Sequence, residues 1–302
     1  MQIGLCLPHY GRPIEPDRLL ALARRAETRG LDALWVTDHV IVPRDVHIIY
    51  KTEMLDPLAV LPWLAAATER ILLGTSVIIL PYRSPLPVAK LLASVDVLSG
   101  GRLVFGAGVG WMEGEFAALG VPFRERGSRT DEALELIRAV WTRTEPALET
   151  RRHRLDGVVA SPLPLQKPRP PIWIGGGSEA AFRRVARHGD GWHATAADPE
   201  TFRRGAEAVR RLWREARRDG EPALSVRLPF WLDRVHRPAA DMSHLRGRHA
   251  VHGSVRDVVA MLRAYAEAGC AHVALDVSLT TYPAILETID VLAGEIRPAL
   301  AG

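Results

Sequence analysis

Cysteine is scarce in this 302-residue chain: Cys6 and Cys270 are the only two, one in a predicted first strand and one ahead of a predicted last strand. Two thiols so placed read as small buried hydrophobes, not as a disulfide framework. No apolar run is long enough to span a bilayer, and the opening MQIGLCLP has no basic stretch ahead of a long apolar one. A cytoplasmic protein with no membrane partner is therefore expected. No Ser/Gly linker or break in composition divides the chain, which predicts a single domain over residues 1–302. Neither sign of charge dominates, since 39 Lys and Arg against 35 Asp and Glu leave a net +4. The clusters Arg151, Arg152, Arg154 and Arg210, Arg211, Arg214 lack interleaved aromatic platforms, and acidic residues alternate with them as on solvated helix faces. No nucleic-acid partner is expected. With 47% hydrophobic and 25% charged residues, the chain has the composition of a globular protein with a sizeable core.

Glycine, by contrast, is concentrated. In LSGGRLVFGAGVGW, residues 98–111, a short apolar strand over 102–105 runs into a turn carrying Gly106, Gly108 and Gly110. Without a Cβ, such residues let the backbone approach a ligand, and the carboxyl end of a strand is where α/β folds place their sites. A tight turn with no ligand has the same composition.

Strands and helices alternate along the rest of the chain. Apolar runs predict strands at 2–7, 31–37, 71–80, 172–174, 191–193, 225–231 and 272–277 besides the one at 102–105. Helix starts are signalled at Pro16, Asp56, Ser84, Ser128, Ser178, Asp198, Ser254 and Pro283, with Pro62 expected to kink or interrupt the second helix. Residues 142–171 read as a proline- and arginine-rich excursion, and 232–252 as irregular. Eight strands in alternation with helices predict an α/β fold, a single (β/α)8 TIM barrel with insertions at the carboxyl face of its strands.

Six segments carry a family resemblance: GLDALWVTDHV at 30–40, RILLGTSVIILPYRSPLPVAK at 70–90, the 98–111 stretch, EFAALGVPFRERGSRTDEALELIRAVW at 115–141, PPIWIGGGS at 170–178 and GDGWH at 189–193. In this order and spacing the chain resembles the luciferase-like monooxygenase superfamily, and within it the oxidoreductases that use the 5-deazaflavin coenzyme F420. The resemblance implies a barrel whose cofactor lies across the carboxyl ends of the strands, against Gly106, Gly108 and Gly110. It implies a catalytic pair, Asp38 and His39, with His39 as proton donor or acceptor beside the hydride-carrying carbon. That role suits a side chain titrating near neutral pH, although rim hydrogen bonds also account for a His here. Thr75, Ser76 and Val77 match a bulge at the back of the cofactor ring, with a cis peptide between Ser76 and Val77. Gly175, Gly176 and Gly177, followed by a helix capped at Ser178, form an anion site for the cofactor phosphate.

Trp111, Trp192 and His193 are candidates for the substrate pocket; core packing accounts equally for Trp192, and a place on the barrel rim for His193. Deazaflavin relatives carry polar residues in the loop after the fourth strand, whereas this chain has Trp111, Met112, Glu113 and Gly114, and Glu115 alone keeps an acid. The change suggests a hydrophobic or aromatic substrate, unless Trp111 packs on the ring. His249 and His252 lack a third ligand, and no metal site is expected. The expected function is hydride transfer between F420 and a small, hydrophobic organic substrate, by a protein expected to be a homodimer. An FMN-dependent two-component monooxygenase, fed by a separate flavin reductase, and a catalytically silent flavin-binding barrel are the alternatives.

Overall fold

The short apolar runs form strands, and the glycines between them decide what fits inside. The computed structural model describes residues 1–10, 14–44, 53–235, 249–278 and 280–301. Its strands in chain order are β1 (Gln2–Cys6), β2 (Ala33–Val36), β3 (Leu72–Thr75), β4 (Ile78–Ile79), β5 (Leu103–Gly108), β6 (Leu148–Glu149), β7 (Arg154–Leu155), β8 (Ile172–Gly175), β9 (Gly191–Thr195), β10 (Ala223–Leu232), β11 (Val251–Gly253) and β12 (His272–Asp276). Eight of them, β1, β2, β3, β5, β8, β9, β10 and β12, pair in parallel in that order, and β12 returns to β1. The barrel is closed, with helices around it, as the alternation predicts.

Strand side chains alternate between two cores. Those facing out, such as Ile3, Leu5, Leu34 and Val36, join the helix layer, while Cys6, Trp35, Val104 and Trp173 fill the barrel. Trp35 is the largest plug, and it fits because its neighbours are glycines. A Cβ on Gly4 would stand 2.4 Å from the Trp35 indole nitrogen, and one on Gly74 only 2.3 Å from its ring. Packed in this way, Trp35 fills the middle of the barrel.

Helix α1 (Pro16–Thr28) is amphipathic and buries Leu19, Leu22, Ala23 and Ala26. In α2 (Pro57–Ala67), Asp56 caps the start by accepting from the Leu58 amide, and the helix runs unbroken through Pro62, contrary to the expected interruption. Packing of Val60, Leu61 and Leu64 on the barrel holds that turn despite the missing amide donor. Ser84 stands at the start of α3 (Pro85–Leu98) with extended backbone, but its hydroxyl makes no capping bond.

Other departures lie near the strand ends. The predicted third strand is broken into β3 and β4 around the Ser76–Val77 peptide, which is cis. The loop after β5 carries a short helix, α4 (Glu113–Ala118), followed by α5 (Arg126–Thr142). The excursion contains the β6–β7 hairpin, and β11 pairs with β10 inside the stretch read as irregular, of which residues 236–248 lie outside the described ones.

Candidate active site

A cavity of about 420 Å³ opens at the carboxyl ends of the barrel strands. Its walls bring together Thr37, Asp38 and His39 after β2, Ser76 and Val77 between β3 and β4, and Gly108 to Trp111 after β5. Gly175, Gly176 and Thr195 close one side, and Arg227 and Asp276 another.

His39 is held from behind. Its Nδ1 lies 2.7 Å from Glu115 Oε2, and the other carboxylate oxygen accepts from the amides of Val40 and Ile41 at 2.6 and 3.2 Å. The Tyr82 hydroxyl donates to Oε2 at 2.8 Å. Burial pushes the Glu115 carboxyl upward, but hydrogen bonding and charge from His39, with the bonds from Val40 and Tyr82, leave it below the usual carboxylate range. An ionised carboxylate only accepts, so Nδ1 carries a proton and Nε2 is the nitrogen suited to exchange one in the cavity. Trp111, about half exposed, meets the His39 ring edge-on with centroids 6.2 Å apart.

Asp38, the other member of the expected catalytic pair, also lines the cavity but is held in an ion pair. Arg83 grips it with both terminal nitrogens, at 2.6 and 2.9 Å, and the Ile79 amide donates to it at 2.8 Å. Arg83 also reaches Asp56 at 2.8 Å, tying the cavity rim to the start of α2. Burial raises the Asp38 carboxyl while the Arg83 charge and hydrogen bonds oppose that rise. Asp38 thus lines the cavity as one half of a buried ion pair.

Sequence reasoning passed over a second ion pair. Arg227 donates to Asp276 at 2.6 Å, to the Tyr10 hydroxyl at 2.7 Å, to Thr37 Oγ1 at 3.0 Å and to the Ser76 carbonyl at 3.2 Å. Burial works against the charged forms of both partners, but their mutual attraction holds Asp276 below its usual value and Arg227 above its own. The available signal was a lone charge in the otherwise apolar run SVRLPFW, where a structural account requires a partner.

The glycines act mainly through Val77. A Cβ on Gly108 would come within 2.5 Å of Val77 Cγ2, and one on Gly175 within 3.2 Å of both its methyls. At Gly106 a Cβ would stand 1.8 Å from the Thr75 carbonyl oxygen. Gly106 and Thr75 therefore serve the wall from behind, and the Thr75 hydroxyl bonds both the amide and carbonyl of Gly106. Gly110 packs against Ile79 and Phe116.

Gly176 has φ +108°, its carbonyl accepts from the Trp192 indole at 2.6 Å, and among the described residues beyond its chain neighbours none lies within 4 Å of where a Gly177 Cβ would be. Ser178 caps α6 (Glu179–His188) through the Ala181 amide. This bare backbone at a helix start suits an anionic group, and Val77 offers an apolar floor, so the residues present fit a cofactor with an apolar ring face and a phosphate tail.

Two expected pocket residues do not line this cavity. Trp192 faces the helix layer, stacked on Phe202 at 5.1 Å, because strand alternation turns it away from the barrel interior. His193 turns inward but lies beneath the cavity, fully buried.

A sequence model of the luciferase-like monooxygenase family matches residues 1–244. The chain belongs to that family. It is 32% identical over 237 residues to an uncharacterised protein of Mycobacterium tuberculosis, covering 74% of this chain and 82% of that one. It is 34% identical over 184 residues to the F420-dependent glucose-6-phosphate dehydrogenase of Kineococcus radiotolerans, covering 60% and 52%. An FMNH2-dependent dimethylsulfone monooxygenase of Pseudomonas putida is 35% identical over 135 residues, covering 44% and 37%. The fold matches the crystal structure of the monooxygenase RslO1 from Streptomyces bottropensis with a TM-score of 0.84 at 22% identity, over 99% of both chains. The family contains both F420-dependent oxidoreductases and FMN-dependent monooxygenases, and this chain has its barrel and a cavity at the strand ends.

Proposed function

We propose that this member of the family is an oxidoreductase that moves a hydride between coenzyme F420 and a small, hydrophobic organic substrate. The observation that carries the reading is the buried Glu115 carboxylate behind His39, which orients a proton-exchanging ring on the cavity wall. When bound, the deazaflavin supplies the hydride-carrying carbon. The chain's own residues do the rest. His39 Nε2 gives a proton to the polar bond being reduced, or takes one in the reverse direction, and Glu115 balances the imidazolium charge at Nδ1. Arg83 neutralises Asp38, so that a second carboxylate does not compete for the proton. Val77 supports the ring, the amides around Gly176 and Gly177 hold the phosphate, and Trp111 walls the substrate side. Trp111, Val109 and Ile79 favour an apolar substrate over a sugar phosphate.

The FMN-dependent monooxygenase, with a flavin reductase as partner, is kept as the second reading because the Pseudomonas putida relative is FMNH2-dependent and shares 35% identity over its matched segment. Oxygen separates the two. The hydride-transfer reading requires reduced F420 to be oxidised anaerobically by an organic acceptor in the presence of the protein. Incorporation of an oxygen atom into the organic substrate that requires FMNH2 and oxygen together transfers the assignment to the monooxygenases. Binding of neither cofactor supports a silent barrel.

A further inference from the structure

Beneath the cavity, His193 is fully buried and makes two hydrogen bonds with side-chain hydroxyls: Nε2 with Ser76 Oγ at 2.8 Å and Nδ1 with Ser225 Oγ at 2.6 Å. The Ser225 hydroxyl also lies 3.3 Å from the Trp192 carbonyl, a group to which it can only donate. The arrangement that keeps both contacts has Ser225 accepting from His193 at 2.6 Å, which assigns the ring proton to Nδ1. Burial pushes His193 down to about 3, so the ring is neutral and Nε2 is an acceptor. The Ser76 hydroxyl proton therefore points down into the barrel. Ser76 also lines the cavity, its amide donates to the Val36 carbonyl at 2.7 Å and its carbonyl is held by Arg227.

We propose that His193 is a positioning residue that takes the Ser76 hydroxyl proton, so that Ser76 Oγ offers the cavity only acceptor lone pairs and selects a ligand with an N–H or O–H donor at that point. The inference rests on the proposed function only in taking the cavity as the cofactor ring's site. Nothing in the sequence marks the pairing, because 117 residues separate the partners. Trp35 stacks on His193 with centroids 4.9 Å apart, and a phenyl ring would keep that contact while losing the hydrogen bonds.

The test has two parts. In the ligand-free protein, ¹⁵N-histidine NMR reads the tautomer directly. The proposal expects His193 protonated at Nδ1 and bare at Nε2 from about pH 5 to 9; the opposite tautomer, or an imidazolium in that range, overturns it. Then oxidised F420 and FMN are titrated into the parent, His193→Phe, Ser76→Ala and the double variant. For whichever cofactor binds, each single change is expected to weaken affinity about tenfold, and the double change about tenfold again instead of a hundredfold, since both remove one interaction. Additive losses, or no loss, overturn it. If His193→Phe does not fold, Ser225→Ala replaces it in the same cycle, with the same expectation. If the parent binds neither cofactor, the proposed function fails, while the tautomer still judges the Ser76 orientation.

Discussion

His39 Nδ1 lies 2.7 Å from Glu115 Oε2, and both side chains are buried at the edge of one cavity. The pair joins the end of β2 to a helix 76 residues later, and it places an imidazole against a carboxylate that has no Arg or Lys partner among the described residues. Three of its four donors are neutral or backbone groups: Val40, Ile41 and Tyr82. The fourth is His39 itself.

Replacing Glu115 by Gln keeps the shape but allows an amide N–H to face Nδ1, favouring the wrong tautomer. Turnover is expected to fall about a hundredfold, with cofactor affinity nearly unchanged. Steady-state kinetics beside a cofactor titration measures both, and parental turnover would remove Glu115 from the account.

His39→Ala is expected to lower turnover by about 10²- to 10⁴-fold while cofactor affinity stays within a few-fold, because a proton exchanger contributes to the transition state more than to ground-state binding. Full activity on a substrate accepted by the parent would make His39 a rim residue.

Gly176→Asp is expected to abolish tight cofactor binding and leave the barrel folded, since a carboxylate would stand by the phosphate and φ +108° is strained for any L side chain. Gly106→Ala should instead attack the fold. Its Cβ would meet a backbone oxygen, and overpacking of this kind costs about 1–3 kcal/mol or more. Urea unfolding separates the two outcomes.

Glu132 anchors the 142–171 excursion to α5. Burial would raise its carboxyl, but hydrogen bonds from the Thr150 hydroxyl and from Arg152 hold it at about 2, below the ordinary 4.5. A depressed carboxyl stabilises fully above its unfolded value and loses that contribution as pH falls toward its folded one. Melting temperatures of the parent and Glu132→Gln should therefore differ by a constant amount above about pH 5 and converge between pH 4.5 and 2. A gap that persists at pH 2 contradicts this.

The barrel was legible because its strands are short apolar runs between helix caps, and that pattern is local. The family motifs picked out His39, Val77, Gly175 and Gly176, which the fold brings to the wall of one cavity. What escaped the reading is non-local. Arg227 and Asp276 sit on different strands and make sense only as a pair, and Glu115 gains its role from a histidine far away in the chain. Trp192 was misplaced because its direction depends on the register of β9, and a one-residue difference along a strand exchanges the barrel interior for the helix layer. Pro62 does not interrupt its helix, because propensity weighs less than the packing of α2 on the barrel.

The proposed hydride transfer requires the cavity to receive a deazaflavin in preference to FMN. F420 and FMN share a ring outline and a phosphate, and they differ in the acidic tail of the former, which a chain of net charge +4 favours weakly and in a salt-dependent way. Equilibrium titration of the two oxidised cofactors at low and moderate salt is the most direct measurement. The account predicts tighter binding of F420 under both conditions, by a margin that narrows as salt rises. Tighter binding of FMN under both would contradict it.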